Sequence, residues 1–194
     1  PGRNIVMALP GDLDGDGQTD LVTLHDNEVV LAAPGRGNGT FGEAFVVAPT
    51  QYAPALVDEV TGDSHPDLVV LNGGEVQVFA GDGEFSFYFA NAVDVHADDL
   101  ATGDFDGDGE RDLAWMTRER VGVAMSFRSP TAIGPSRAPK EFAVADIDGD
   151  GADELIVSYP GAITILGWDD GWEVRQDLTG LGLDWPMLAI GDID

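Results

Sequence analysis

Acidic strings of one design return along this chain at nearly constant spacing: DLDGDGQTDL from Asp12, EVTGDSHPDL from Glu59, DFDGDGERDL from Asp104 and DIDGDGADEL from Asp146. A fifth begins with Asp192, Ile193 and Asp194. Successive starts lie 47, 45, 42 and 46 residues apart. A fixed period of this size marks a repeat array, in which each unit buries its apolar face against its neighbours instead of building a core of its own. The repeat therefore overrides the single ordinary domain that 194 residues would otherwise suggest. It divides the chain into units at about 1–50, 51–95, 96–138 and 139–184, with 185–194 opening another.

Between the acidic strings, apolar residues alternate with polar ones or form short blocks of Val, Ile, Leu and Phe bounded by Gly, Pro, Asn and Asp. That is the pattern of strands, and helical periodicity is absent. The pattern predicts strands at 4–9, 20–24, 28–33 and 44–47, then at 53–57, 67–71, 75–80 and 87–92. Further strands follow at 100–103, 112–116, 121–125 and a faintly marked 131–134, then at 141–145, 154–158, 162–166 and 172–177, and 186–191 opens a fifth set. Four strands per unit of this length fit the antiparallel blade of a β-propeller. A leucine-rich repeat would need a shorter period with an asparagine ladder, and a nonapeptide calcium coil a period near nine. The expected fold is all-β: a partial or open propeller of about four four-stranded antiparallel blades plus the first strand of a fifth. Propellers close with about four to eight blades, so the remaining blades or another chain are expected to cover the C-terminal side. The start at Pro1, with neither signal sequence nor initiator Met, reads as a piece of something longer.

In D-x-D-G-D-G-x-x-D, the side chains at the first, third, fifth and ninth positions can turn toward one centre if the backbone coils tightly. Glycines at the fourth and sixth positions permit that coiling. Carboxylates about 4 Å apart repel by about 4 kcal/mol per pair at an effective dielectric of 20, so a compact loop calls for a cation. Oxygen-only ligation by carboxylates and a backbone carbonyl selects calcium over magnesium, which keeps its waters, and over softer ions. Three loops carry the full ligand set: Asp12, Asp14, Asp16, Asp20 and the Gln18 carbonyl; Asp104, Asp106, Asp108, Asp112 and the Glu110 carbonyl; Asp146, Asp148, Asp150, Glu154 and the Ala152 carbonyl. The second loop offers a weaker set of Glu59, Thr61, Asp63, Asp67 and the His65 carbonyl, with Ser64 where a glycine belongs. Asp192 and Asp194 would begin another weak set.

An EF-hand also opens D-x-D-x-D-G, but it needs a bidentate Glu at the twelfth position and flanking helices. The twelfth residue here is Thr23, Trp115 or Val157, each inside a strand-like run. With that rival set aside, GDLDGDGQTDL, followed by Ala32-Ala33-Pro34-Gly35 and Asn38-Gly39-Thr40-Phe41-Gly42, resembles the FG-GAP or VCBS repeat of integrin-α-like propellers. His65-Pro66-Asp67-Leu68 is similar to the Pro-Asp-Leu ending of that family and marks the second loop as a diverged member. The resemblance implies a propeller of seven or eight blades, with calcium between the first and second strands of a blade. It also implies a secreted or surface protein that binds partners or glycans. The chain departs from the family in its second loop, its faint strand near 129–135 and its blade number.

Composition narrows the function. Nine basic residues against 36 acidic ones give a net charge of −27, which excludes a nucleic-acid partner. There is no cysteine, and His25, His65 and His96 are too scattered for a zinc site. No run of eighteen apolar residues provides a transmembrane segment. No G-x-S-x-G or phosphate-binding loop is present, and the clustered carboxylates are accounted for as ligands, so no catalytic residue is assigned. Trp115 is expected in the core and Trp185 is left open; Trp168 and Trp172, flanking a turn, are the better exposed candidates for stacking on a sugar. The basic turn at Arg118 and Arg120 reads as a solvated hairpin tip. The expected function is a calcium-stabilised, non-enzymatic adhesion or binding module with a protein or glycan partner, in an extracellular, periplasmic or cell-surface setting. The alternative is the propeller scaffold of a secreted carbohydrate-active enzyme of the polysaccharide-lyase type, or a lectin.

Overall fold

The computed structural model describes residues 4–26, 29–49, 55–72, 74–182 and 188, and the chain divides into two compact units, Pro1–His96 and Ala97–Asp194. The first unit holds β1 (Ile5–Gly11), β2 (Asp20–His25), β3 (Val29–Ala33) and β4 (Phe45–Pro49) in one sheet, and β5 (Ala55–Asp58), β6 (Asp67–Asn72), β7 (Glu75–Gly81) and β8 (Phe87–Val93) in another. The second unit holds β9 (Asp99–Gly103), β10 (Asp112–Met116), β11 (Val121–Ala124) and β12 (Thr131–Ile133), then β13 (Glu141–Ala145), β14 (Glu154–Tyr159), β15 (Ala162–Trp168) and β16 (Trp172–Thr179). Within each sheet the strands pair antiparallel in chain order, which is the four-stranded meander expected of a blade. Of the predicted strand at 186–191, Leu188 alone is among the described residues, its amide donating to Glu141 at 2.9 Å. Among the described residues no helix is long and apolar enough to cross a membrane.

Burial grades across each blade. The second strands β10 and β14 are buried at every residue, whereas β16 is exposed at nearly every residue. This explains why Leu113-Ala114-Trp115-Met116 and Leu155-Ile156-Val157 are continuous apolar runs, while the outer strands carry polar residues. In the first unit, Leu13, Val22, Leu24, Val30 and Ala32 of the first blade pack on Leu68 and Val70 of the second. In the second unit, Phe105, Ala114, Val121 and Val123 pack on Leu155, Val157, Tyr159 and Leu166. Leu13 and Phe105, the second residues of their acidic loops, are therefore core plugs, whereas Ile147 at the same loop position is 49% exposed.

Two local features of the third blade have physical causes. β11 stops at Ala124, and a 3-10 turn at Met125–Phe127 follows, with Ser126 and Phe127 at positive φ. The turn aims the Ser126 amide at Asp112 and buries Phe127. The tight cross-strand pair of Trp115 with Gly122 explains a glycine inside a strand: a Cβ at 122 would overlap the Trp115 ring.

Candidate metal centre

One register builds every acidic loop. The residue before the loop pairs with the loop's ninth residue: Gly11 with Asp20, Asp58 with Asp67, Gly103 with Asp112 and Ala145 with Glu154. The ninth side chain is thereby turned inward, and all four are buried. Each accepts the amide of the loop's second residue, at 2.6 Å for Leu13, 2.8 Å for Val60, 3.0 Å for Phe105 and 2.9 Å for Ile147. In three blades the other oxygen accepts an amide near the end of the third strand, from Gly35 at 2.7 Å, Gly81 at 3.0 Å and Ser126 at 2.6 Å. The ninth carboxylate thus stitches the loop to the third strand, a role beyond the metal ligation expected of it.

Three loops gather carboxylate oxygens within 4.8 Å of one another: Asp12, Asp14 and Asp20; Asp104, Asp106 and Asp108; Asp146, Asp148 and Glu154. Asp16, Asp112 and Asp150 stand outside these groups and are engaged by the backbone. Asp16 accepts the Gln18 amide at 2.7 Å, Asp150 accepts the Ala152 amide at 2.9 Å, and Asp112 holds the two amides already named. The residues predicted to supply carbonyl ligands, Gln18, His65, Glu110 and Ala152, are those whose amides close these short turns onto the fifth-position carboxylate. Asp192 and Asp194 lie outside the described residues.

The donor chemistry fits a hard cation. The first carboxylate bridges its loop by accepting the amides of Gly17, Gly109 and Gly151 at 2.9, 2.9 and 3.1 Å. Its other oxygen in the first loop, Asp12 Oδ1, is buried with no hydrogen-bond partner. A carboxylate oxygen held from water without a donor needs a counter-charge. Burial, then the charges of Asp16, Asp20 and Asp12, pushes the Asp14 carboxyl above its usual range. Asp106 and Glu154 are raised in the same way, by burial first and then by their loop neighbours. Burial pushes Asp112 up from 3.8 to about 6, with Asp106 and Asp108 adding to it.

With metal removed, folded Asp112 keeps a proton that the unfolded chain releases between pH 3.8 and about 6. Its contribution, about 3 kcal/mol, is present at the acid end of that window and is lost as pH rises through it. Urea unfolding of the metal-free protein is therefore expected to show greater stability at pH 4.5 than at pH 7. A stability that climbs steadily over that interval would contradict the burial assigned to these carboxylates.

The second loop is held differently, and its Glu59, Asp63 and Asp67 form no such group among the described residues. Glu59 Oε1 accepts the amides of Thr61, Gly62 and Asp63 at 3.1, 2.6 and 3.2 Å, so a single oxygen is met by three backbone donors. Ser64 adopts φ 71°, close to the 80° of Gly17 at the same loop position. That conformation strains any residue with a Cβ. Ser64→Gly is expected to stabilise the protein by about 1 kcal/mol, measured by urea denaturation. A loss of stability would show that the serine makes a compensating contact.

The tryptophans are placed by packing. Trp115 is core, as expected. Trp168 and Trp172, both expected to be exposed, are instead half-buried; Trp172 packs against the second core, edge-to-face with Phe105 at 5.4 Å and with Trp168 at 6.0 Å. Trp185 lies outside the described residues. The carboxylate of Asp153 accepts the Asp104 amide at 2.9 Å and pairs with Arg111 at 3.3 Å, so the third and fourth loops are linked within their unit.

A family model for FG-GAP-like repeats matches residues 60–115, which take in nearly all of the second loop and the whole of the third. Among solved structures, an Agrocybe aegerita lectin, described for specific recognition of non-reducing terminal N-acetylglucosamine, superposes with TM-score 0.68 at 16% identity, over 89% of this chain and 52% of its own. Two structures of BBS1N in complex with ARL6DN give TM-scores of 0.59 and 0.61 at 14% and 12% identity, over 89% of this chain and 55% and 52% of theirs. The chain spans about half the length of these structures. No curated protein sequence matches it. At such identities the likeness speaks for the fold, a run of β-propeller blades. This chain accordingly carries an FG-GAP-like repeat, at residues 60–115, within a β-propeller fold of four-stranded antiparallel blades.

Proposed function

We propose that this chain is a calcium-stabilised, non-enzymatic binding module that works in an extracellular, periplasmic or cell-surface setting and presents propeller loops to a protein or glycan. The observation that carries the reading is the repeated carboxylate triad, three times within 4.8 Å, with Asp12 Oδ1 buried and unpartnered in the first. Calcium would be held by Asp12, Asp14 and Asp20, by Asp104, Asp106 and Asp108, and by Asp146, Asp148 and Glu154. When bound it supplies positive charge that offsets the burial and, after it, the neighbouring carboxylate charges that raise Asp14, Asp106 and Glu154. Open loops of this kind bind calcium at about 10⁻⁴ to 10⁻³ M in extracellular modules, a range that cytosolic calcium leaves empty, and this is the basis for the compartment.

A partner is suggested by the company the fold keeps: one neighbour recognises a sugar and another is in complex with a protein. The exposed Ile147 marks a face of the fourth blade suited to a further blade or another chain. Isothermal titration with calcium is expected to give three equivalents, the second loop remaining silent. A glycan array and a polysaccharide depolymerisation assay then separate binder from enzyme. Calcium-dependent chain cleavage would replace this reading with a carbohydrate-active enzyme scaffold.

A further inference from the structure

The tertiary structure collects positive charge where the sequence spreads it. The chain has nine Lys and Arg residues in all, and four of them line two neighbouring clefts in the unit Ala97–Asp194. The larger cleft, about 580 Å³, is lined by Arg118, Arg120 and Arg137 with one acid, Glu119, and by Ala132, Pro135 and Ala138. The smaller, about 420 Å³, shares Arg118 and adds Lys140 and Asp98. Volumes of this order suit a small ligand.

The arginines are held in place. Arg118 and Arg120 stand on the hairpin between β10 and β11, whose tip is fixed by the Thr117 amide to the Arg120 carbonyl at 2.8 Å and by two amides donating to the Thr117 hydroxyl. Arg137, from the connection between β12 and β13, lies over the buried Tyr159 ring at 5.8 Å and pairs with Asp177 at 3.3 Å. Arg120 has Glu119 at 4.0 Å. Among the described residues the guanidinium of Arg118 has no ion-pair or hydrogen-bond partner, its amide alone donating to Asp98. The corresponding hairpin turns of the other blades, 26–28, 73–74 and 160–161, contain no Lys or Arg, so the blade architecture does not require a basic tip.

We infer that this cleft binds a small ligand bearing a single carboxylate on a compact body, either a free sugar acid or an acidic sugar at the end of a glycan. The guanidinium fork matches a carboxylate. Half-buried Pro135 and exposed Ala132 and Ala138 offer an apolar surface to the body of the ligand. The net charge of −27 repels polyanions, so a ligand with one local charge is favoured. The inference deepens the binding-module reading and rests on it.

Titration of the calcium-loaded protein with D-glucuronate, D-glucose and acetate tests it. Glucuronate is expected to bind at least tenfold more tightly than either of the others. Arg118→Ala, a change at an exposed side chain, is expected to weaken it at least tenfold while leaving the calcium-dependent melting shift intact. Methyl β-D-glucuronoside binding as well as the free acid assigns the ligand to a glycan end; binding of the free acid alone assigns it to a small metabolite-like acid. Acetate binding equally well would mean an adventitious ion only. That result, equal binding of glucose, or indifference to Arg118→Ala overturns the inference while the calcium module stands; absence of a calcium shift in the unmutated protein would sink the module itself.

Discussion

Removing calcium with excess EDTA is expected to lower the melting temperature of the unit Ala97–Asp194 by roughly 20–40 °C, and that of Pro1–His96 by less. The asymmetry comes from the loops: among the described residues the second unit carries two carboxylate groups and the first carries one. A site filled at about 100 times its dissociation constant stabilises the folded state by about 2.7 kcal/mol, so two sites contribute about 5 kcal/mol. For a unit of this size each kcal/mol moves the transition by about 4–8 °C. Calorimetry with and without EDTA, with hydrogen exchange to assign each transition, provides the measurement. Identical melting curves in calcium and in EDTA would remove the cation from the account of this fold.

Asp20→Asn is expected to destabilise the protein by about 2–4 kcal/mol even in EDTA, where metal ligation plays no part. Both Asp20 oxygens accept amides, from Leu13 at 2.6 Å and Gly35 at 2.7 Å, in a site 1% exposed. An asparagine must turn its NH2 toward one of those donors and leave a buried amide unpaired. Asp14→Asn in the same loop is expected to behave oppositely. In EDTA it is neutral or slightly stabilising, because burial and neighbouring carboxylates already oppose ionisation of Asp14. In calcium it is destabilising, because a ligand is lost. Urea denaturation of both variants, with and without calcium, separates the hydrogen-bonding role from the ligand role; equal behaviour of the two in EDTA would refute the distinction.

A signal for the stitching role of the ninth residue was present in the chain. In the second loop the third position has become Thr61 and the sixth Ser64, yet the ninth remains Asp67. An acid kept in a loop that has lost other ligand features points to a task other than metal binding, and Asp67 indeed accepts amides from Val60, Thr61 and Gly81. The three amides on Glu59 could not be read, since they depend on the added reach of a glutamate folding over its own loop. The inward position of Trp172 was equally illegible, because it follows from contact with Phe105 of the preceding blade.

Taken alone, the sequence determined the period, the four strands of each blade and the loops that bear carboxylates. Those features rest on short-range physics: alternation of apolar residues, glycine at left-handed positions and acids a few residues apart. Only the tertiary structure decided which carboxylates meet, which are consumed by backbone amides, and that Arg137 joins Arg118 and Arg120 across a blade boundary. Such meetings depend on strand register and on how one sheet packs against the next, and no local pattern along the chain encodes the distance between side chains so far apart in sequence.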